Sequence, residues 1–249
     1  MTMRTWISNA KAAVTERLFR IGLVLACLLC SPSYAAEVKV SPATELAEVD
    51  LVDVGALITD AQLEIRYAGS HNFVGTPVEG YEAPKCYLLR PVAEALVKVA
   101  DDLRGQGYRL RLFDCYRPVR AVKHFVRWAH DLQDQRTKAE FYPNLDKSTL
   151  LDGYIAETSG HSRGATLDLS LDHCDAATCQ PLEMGTGFDR FDTLANTDDP
   201  RVQNEAREHR NLLRAVMQRH GFRNYPLEWW HYTFQPEPTP QTAYDIPVQ

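Results

Sequence analysis

Residues 165–171, Ala-Thr-Leu-Asp-Leu-Ser-Leu, alternate without a break. Successive side chains of an extended chain point to opposite faces. Ala165, Leu167, Leu169 and Leu171 therefore share one face, and Thr166, Asp168 and Ser170 share the other. A strand so rich in leucine is built to be buried, and it takes a carboxylate with it. A carboxylate inside a core needs a partner or a metal ion. The fold must therefore deliver one to Asp168 from another part of the chain.

The segment just before the strand, Ser159-Gly160-His161-Ser162-Arg163-Gly164, offers an imidazole in a glycine-flanked loop. A loop histidine and a strand aspartate can converge on one ion, and mixed nitrogen and oxygen ligation suits zinc. Taken by itself, the segment fits a salt-bridged aspartate beside a polar loop histidine better than a metal site.

A second candidate is Glu228-Trp229-Trp230-His231. Glutamate and histidine three apart on a regular strand face opposite ways. They can share a site only if Glu228 precedes the strand or sits at a bulge. A catalytic zinc keeps three protein ligands and leaves one position for water, and that water needs a carboxylate to take its proton. His231 as third ligand and Glu228 as general base would fill these parts. The other reading makes the tryptophans and His231 packed core. The third candidate is Arg117 in Asp114-Cys115-Tyr116-Arg117-Pro118, between a strand and a helix, where loops held by rigid elements carry functional groups. Arginine there suits a substrate carboxylate or a developing oxyanion, or simply a surface ion pair.

The remaining pattern is helices and short strands without βαβ regularity. Pro91 suits a first helical turn, and the spacing predicts a helix over 92–104, stopped by Gly105 and Gly107. Residues 108–113 alternate as a strand. Pro118 opens a helix to about Gln133, residues 202–220 form a third, and 228–234 is β-prone. The expected fold is a single α+β domain, with a proline-rich, surface-hugging tail from about residue 235.

The N-terminus reads differently. Arg4, Lys11, Arg17 and Arg20 precede the apolar run 21–30, and Ser33-Tyr34-Ala35 offers small residues for cleavage. Residues 1–35 are expected to be a signal peptide. The run is too short for a permanent span; an uncleaved anchor, or a lipoprotein at Cys27 or Cys30, are the alternatives. Removing this segment takes away four basic residues and one acidic residue, so the formal charge moves from −6 to −9. Such an acidic domain, without a basic stripe, has no electrostatic reason to bind nucleic acid. Four cysteines remain, an even number that fits two disulfides in an exported chain. Cys174 and Cys179 enclose a short polar loop, which leaves Cys86 for Cys115. Four cysteines allow three connectivities. A four-cysteine zinc site is the rival, though no CxxC pair exists.

Tyr116-Arg117-Pro118, then Ser159-x-His161 with Gly164 and Asp168, then Glu228-x-x-His231, in this order and spacing, resemble the zinc D-alanyl-D-alanine dipeptidases of the VanX type, over roughly residues 50–235. The resemblance implies a Hedgehog/DD-peptidase-like fold, with a small, mainly antiparallel sheet flanked by helices and carrying the zinc site. It implies one Zn2+ per chain on His161, Asp168 and His231, Glu228 as base, and Arg117 stabilising the tetrahedral intermediate. Met184-Gly185-Thr186 with Phe188-Asp189 also resembles a family segment and carries Asp189 over as the contact to the substrate ammonium. Tyr154 and Ser159 carry over as substrate-side residues. The signal peptide and the Cys174–Cys179 loop depart from the pattern.

These readings imply hydrolysis of a small dipeptide, D-Ala-D-Ala, outside the cytoplasm, in salvage or turnover of wall-derived dipeptides. The competing functions are a D,D-carboxypeptidase or endopeptidase acting on peptidoglycan, and a non-catalytic zinc-stabilised module. The Met184–Asp189 segment favours the dipeptidase. An unligated Glu228 argues against the module.

Overall fold

A computed structural model describes residues 37–175 and 178–249. The expected signal peptide, residues 1–35, lies outside the described residues, as do Ala176 and Ala177 of the Cys174–Cys179 loop.

The frame is a six-stranded sheet. Its strands are β1 (Gln62–Leu63), β2 (Tyr108–Asp114), β3 (Thr166–Cys174), β4 (Cys179–Pro181), β5 (Phe222–Asn224) and β6 (His231–Phe234). They run in the order β1-β2-β3-β6-β5, with β4 pairing the far end of β3. Only the β1–β2 pair is parallel. The sheet is thus small and mainly antiparallel, as the resemblance implied.

The alternating segment is the centre of this sheet. Leu167, Leu169 and Leu171 are fully buried, but so are Thr166, Asp168, Ser170 and Asp172 on the other face. Two groups of the polar face are matched across the sheet. Thr166 meets Thr233 across the strands at 2.9 Å. Asp172 accepts two hydrogen bonds from Arg111, at 2.7 and 2.9 Å.

Among the described residues, three helices are longer than two turns: α1 (Arg90–Arg104), α2 (Val119–His130) and α3 (Asn204–Arg219). Pro91 stands in the first turn of α1, where its missing N–H costs nothing. Gly107 takes φ +82° to turn the chain into β2. Helix α1 packs on β2, and α3 packs on β5 and α1. Helix α2 ends at His130, short of the expected Gln133. Asp131 leaves the helical region at φ −79°, ψ 82°, and the Nζ of buried Lys147, 3.7 Å above the Trp128 ring, donates to the carbonyls of Asp131 and Asp134 just past the helix end.

The segment 228–234 also divides. Only His231–Phe234 is strand; residues 225–230 are the loop of the β5–β6 hairpin. Asn224 Nδ2 holds that loop by donating to the carbonyls of Glu228 and His231, both at 3.0 Å.

The proline-rich tail does more than lie on the surface. Tyr244, Ile246 and Val248 are buried on alternate positions. Thr242–Ala243 pairs with Lys39–Val40, and Val248 bridges to Tyr81. Cys86 pairs with Cys115 and Cys174 with Cys179. Among the described residues no helix is long and apolar enough to cross a membrane.

Candidate active site

Sheet register assembles the site. Asp168 on β3 lies opposite Asp114 of β2 on one side and opposite His231 of β6 on the other. Directly paired residues project to the same face. The Asp114 pairing depends on an irregularity: the register shifts between Leu112 and Asp114. That one-residue bulge turns Asp114, not Phe113, toward Asp168.

His161 arrives from the turn that leads into β3. Ser159 Oγ accepts from the His161 backbone N–H at 3.2 Å and starts a single 3-10 turn, Gly160–Arg163. Gly164 closes the turn at φ +71°, where a Cβ would stand 2.9 Å from Leu51 Cδ2. Only glycine fits there. His161 Nδ1 is 2.8 Å from the Cys115 carbonyl, which can only accept. Nδ1 therefore carries the proton, and Nε2 presents its lone pair to the site.

His161 Nε2 stands 3.3 Å from His231 Nδ1 and 3.4 Å from Asp168 Oδ2, and His231 Nδ1 is 3.1 Å from Asp168 Oδ1. Ligand atoms about 2.0–2.1 Å from one zinc ion in a tetrahedral site stand about 3.3–3.5 Å from each other. The spacing fits. Asp168 Oδ1 is buried and receives no hydrogen bond, so it holds a lone pair for which a cation is the natural partner. The donor set His161, Asp168 and His231 can thus hold a metal ion.

Glu228 lies in the hairpin loop ahead of β6, which puts it on the same side as His231, with Oε2 3.4 Å from Nδ1. Burial pushes its carboxyl up to about 7, against the pull of His231. Burial works the same way on Asp168, but His161 and His231 outweigh it and hold that carboxylate far below its usual range.

Arg117, its side chain 13% exposed, is partly buried and pairs inward rather than at the surface. It binds Asp114 at 2.9 Å and lies 3.5 Å from Asp168 Oδ2. Its guanidinium sits over the rings of Phe125 and Tyr67, at 5.0 and 5.2 Å. Asp114, fully buried, also accepts from the Tyr81 hydroxyl. Asp189 is buried, with φ +60°, and accepts from the Tyr67 hydroxyl at 2.8 Å. Burial raises its carboxyl well above the usual range, and nearby Asp168 adds to this.

His161, Asp168, His231, Glu228, Arg117 and Asp189 border one cavity of about 250 Å3, which Tyr67, Tyr154 and Ser159 also line. The structure therefore brings together every residue singled out for metal, base or substrate contact. Tyr67, Tyr81 and Asp114 were missed. Asp114 had a signal, an aspartate three residues before Arg117 at a strand end. The tyrosines had none, because their partners lie 122 and 33 residues away.

Three donors open to a cavity, with an unligated carboxylate beside them, are the layout of a metal-dependent hydrolase. The peptidase M15 model, described as D-Ala-D-Ala dipeptidase, matches residues 47–249, and the chain belongs to this family. A D-alanyl-D-alanine dipeptidase of Streptomyces coelicolor is 40% identical over 200 residues, covering 80% of this chain and 98% of that protein. The one of Enterococcus faecium is 36% identical over 81% of this chain and 100% of its own length. That of Enterococcus faecalis is 39% identical over 74% and 91%.

Proposed function

We propose that this protein hydrolyses the free dipeptide D-Ala-D-Ala to two D-alanines, with one zinc ion held by His161, Asp168 and His231. The observation that carries the reading is the donor triad facing a cavity that contains Glu228 on one side and Asp189 within it. Bound zinc supplies Lewis acidity at the scissile carbonyl and acidifies water.

The chain's own groups do the rest. Glu228 takes a proton from the attacking water at its carboxylate and returns it to the leaving amine as the C–N bond breaks. A carboxylate within reach of the water and of the leaving amine can serve both transfers. Arg117, locked by Asp114 and two aromatic rings, offers positive charge to the oxyanion without having to move. Asp189 receives the substrate ammonium, while Ser159 and Tyr154 border the bound peptide. Residues 1–35 act as the export signal and residues 36–249 form the enzyme. Acting outside the cytoplasm, it serves salvage of wall-derived dipeptide.

Substrate length tests this. Acetylating the amine removes the cation that Asp189 would pair with, so the buried carboxyl takes up a proton and the ion pair is lost, at a cost of about 3 kcal/mol. We expect kcat/KM on N-acetyl-D-Ala-D-Ala at least about a hundredfold below that on the free dipeptide. Equal values would indicate a carboxypeptidase. Chelation should abolish turnover and zinc should restore it. A chelated protein that stays fully active would overturn the metal assignment.

A further inference from the structure

The loop from Met184 to Asn196 carries Asp189, and most of it is neither helix nor strand. Its shape must be imposed from outside. Arg210, on α3, is 1% exposed, yet its hydrogen bonds go to backbone carbonyls and not to a carboxylate. Nε donates to Met184 O at 2.6 Å, Nη2 to Leu194 O at 3.1 Å and Nη1 to Asn196 O at 2.8 Å. The first oxygen lies at one end of the loop and the other two at the opposite end, so one guanidinium ties both ends together. Burial lowers its pKa only to about 10, which leaves it charged at neutral pH. A buried cation is a costly way to fill space, and a rigid fork of donors is what three fixed carbonyls require.

Two further contacts point the same way. Gly185 takes φ +84°, and a Cβ there would stand 3.3 Å from Arg210 Nη2, so the loop backbone closes directly onto the guanidinium. Asp189 itself is held at φ +60°, a conformation a non-glycine residue keeps only when its surroundings fix it. Trp229 then joins the loop to the Glu228 turn: its Nε1 donates to Thr186 Oγ1 at 2.8 Å, and its backbone N–H to Ala195 O at 3.0 Å.

We propose that Arg210 is a positioning residue that clasps loop 184–196 and so holds Asp189 at the ammonium end of the cavity, setting the preference for peptides with a free amino terminus. The selectivity part rests on the reading of Asp189 given above. The clasp itself can be read without substrate.

The test uses the zinc-loaded full chain with Arg210→Lys and Arg210→Met. Lysine keeps the charge but cannot serve three carbonyls, and methionine keeps apolar volume without charge. We expect faster hydrogen exchange in 184–196, unchanged exchange in 161–171, and one zinc per chain. We expect KM for D-Ala-D-Ala to rise about tenfold or more while kcat falls less than about threefold. The ratio of free to acetylated dipeptide should shrink with it. In an Asp189→Asn background, Arg210→Lys should add little. Wild-type exchange in 184–196 in both variants would overturn the clasp. If methionine abolishes folding, the lysine variant decides by the same two readouts. Should Asp189→Asn leave the free-over-acetylated preference intact, the ammonium reading fails while the exchange result still judges the clasp.

Discussion

Asp168 is 2% exposed and ionised, a state its own strand cannot support. Its neighbours across the sheet support it, with His231 on one side and the Asp114–Arg117 pair on the other. Glu228 is held differently: burial brings its carboxyl to about 7, so at neutral pH it stands between its two protonation states. Glu228→Gln should keep one zinc per chain and lower kcat by roughly 100- to 10,000-fold. If zinc is lost in proportion to activity, Glu228 is a ligand and not a base. The same carboxyl has a signature in the metal-free protein. Its pKa is about 7 when folded against an ordinary 4.5, so between these values the folded state holds a proton that the unfolded state has released. Stability therefore falls as pH rises through that window, by at most about 3 kcal/mol from this group. Metal-free Glu228→Gln should gain Tm relative to metal-free wild type from pH 4.5 to 7 and hold the gain above it. A gap that is flat with pH would contradict the buried acid. His161, Asp168, His231 and Glu228 were legible because each breaks a local pattern: a carboxylate among leucines, a histidine between glycines, an acid and a histidine around tryptophans. Tyr67 breaks no pattern, and only the fold brings it to Asp189.

At the level of elements, strands and helices with strong periodicity were readable, and their ends were not. The alternation over 165–171 is strand β3, and the helix predicted over 92–104 is α1. Helix α2 stops early because Asp131 leaves the helical region, and Lys147 then takes two carbonyls past the end. The bulge at Phe113 leaves no mark in the sequence, yet it decides which side chain faces Asp168. The Cys86–Cys115 bridge belongs to this scale, because it pins the end of β2 where the Cys115 carbonyl orients His161. Replacing both cysteines by serine should cost about 2–4 kcal/mol by freeing the unfolded chain. Zinc affinity should also fall, because outer partners of a ligating histidine are typically worth about 10–100-fold in affinity. Unchanged zinc affinity in a destabilised variant would confine the bridge to stability. The protein isolated from an oxidising compartment should contain no free thiol.

On the scale of the whole molecule, the α+β architecture follows from the mix of short strands and separate helices, and the family motifs supply its arrangement. The tail was the least legible part. Its prolines signal an extended course, but the burial of Ile246 and Val248 depends on pockets formed by residues more than a hundred positions earlier. Tyr116 shows how it is fastened: its hydroxyl donates to the Ile246 carbonyl at 3.0 Å and accepts from the Ile246 N–H at 2.8 Å. Tyr116→Phe leaves both buried backbone groups unsatisfied, which should cost about 2 kcal/mol and lower Tm by roughly 4–8 °C. A Tm within 1 °C of wild type would mean the tail is held by its apolar contacts alone.

The tail also sets an order of events. Residues 241–248 hydrogen-bond to Lys39, Ser41, Gly80, Glu82, Val119 and Ser162, so this segment joins others made well before it. Contacts of such long range form late in folding. A chain still being synthesised, or threaded amino end first through a membrane, lacks the segment that fastens the Arg117 loop and the His161 turn. Hydrolytic competence should therefore appear in one step when residue 248 becomes available, and not accumulate as the chain grows.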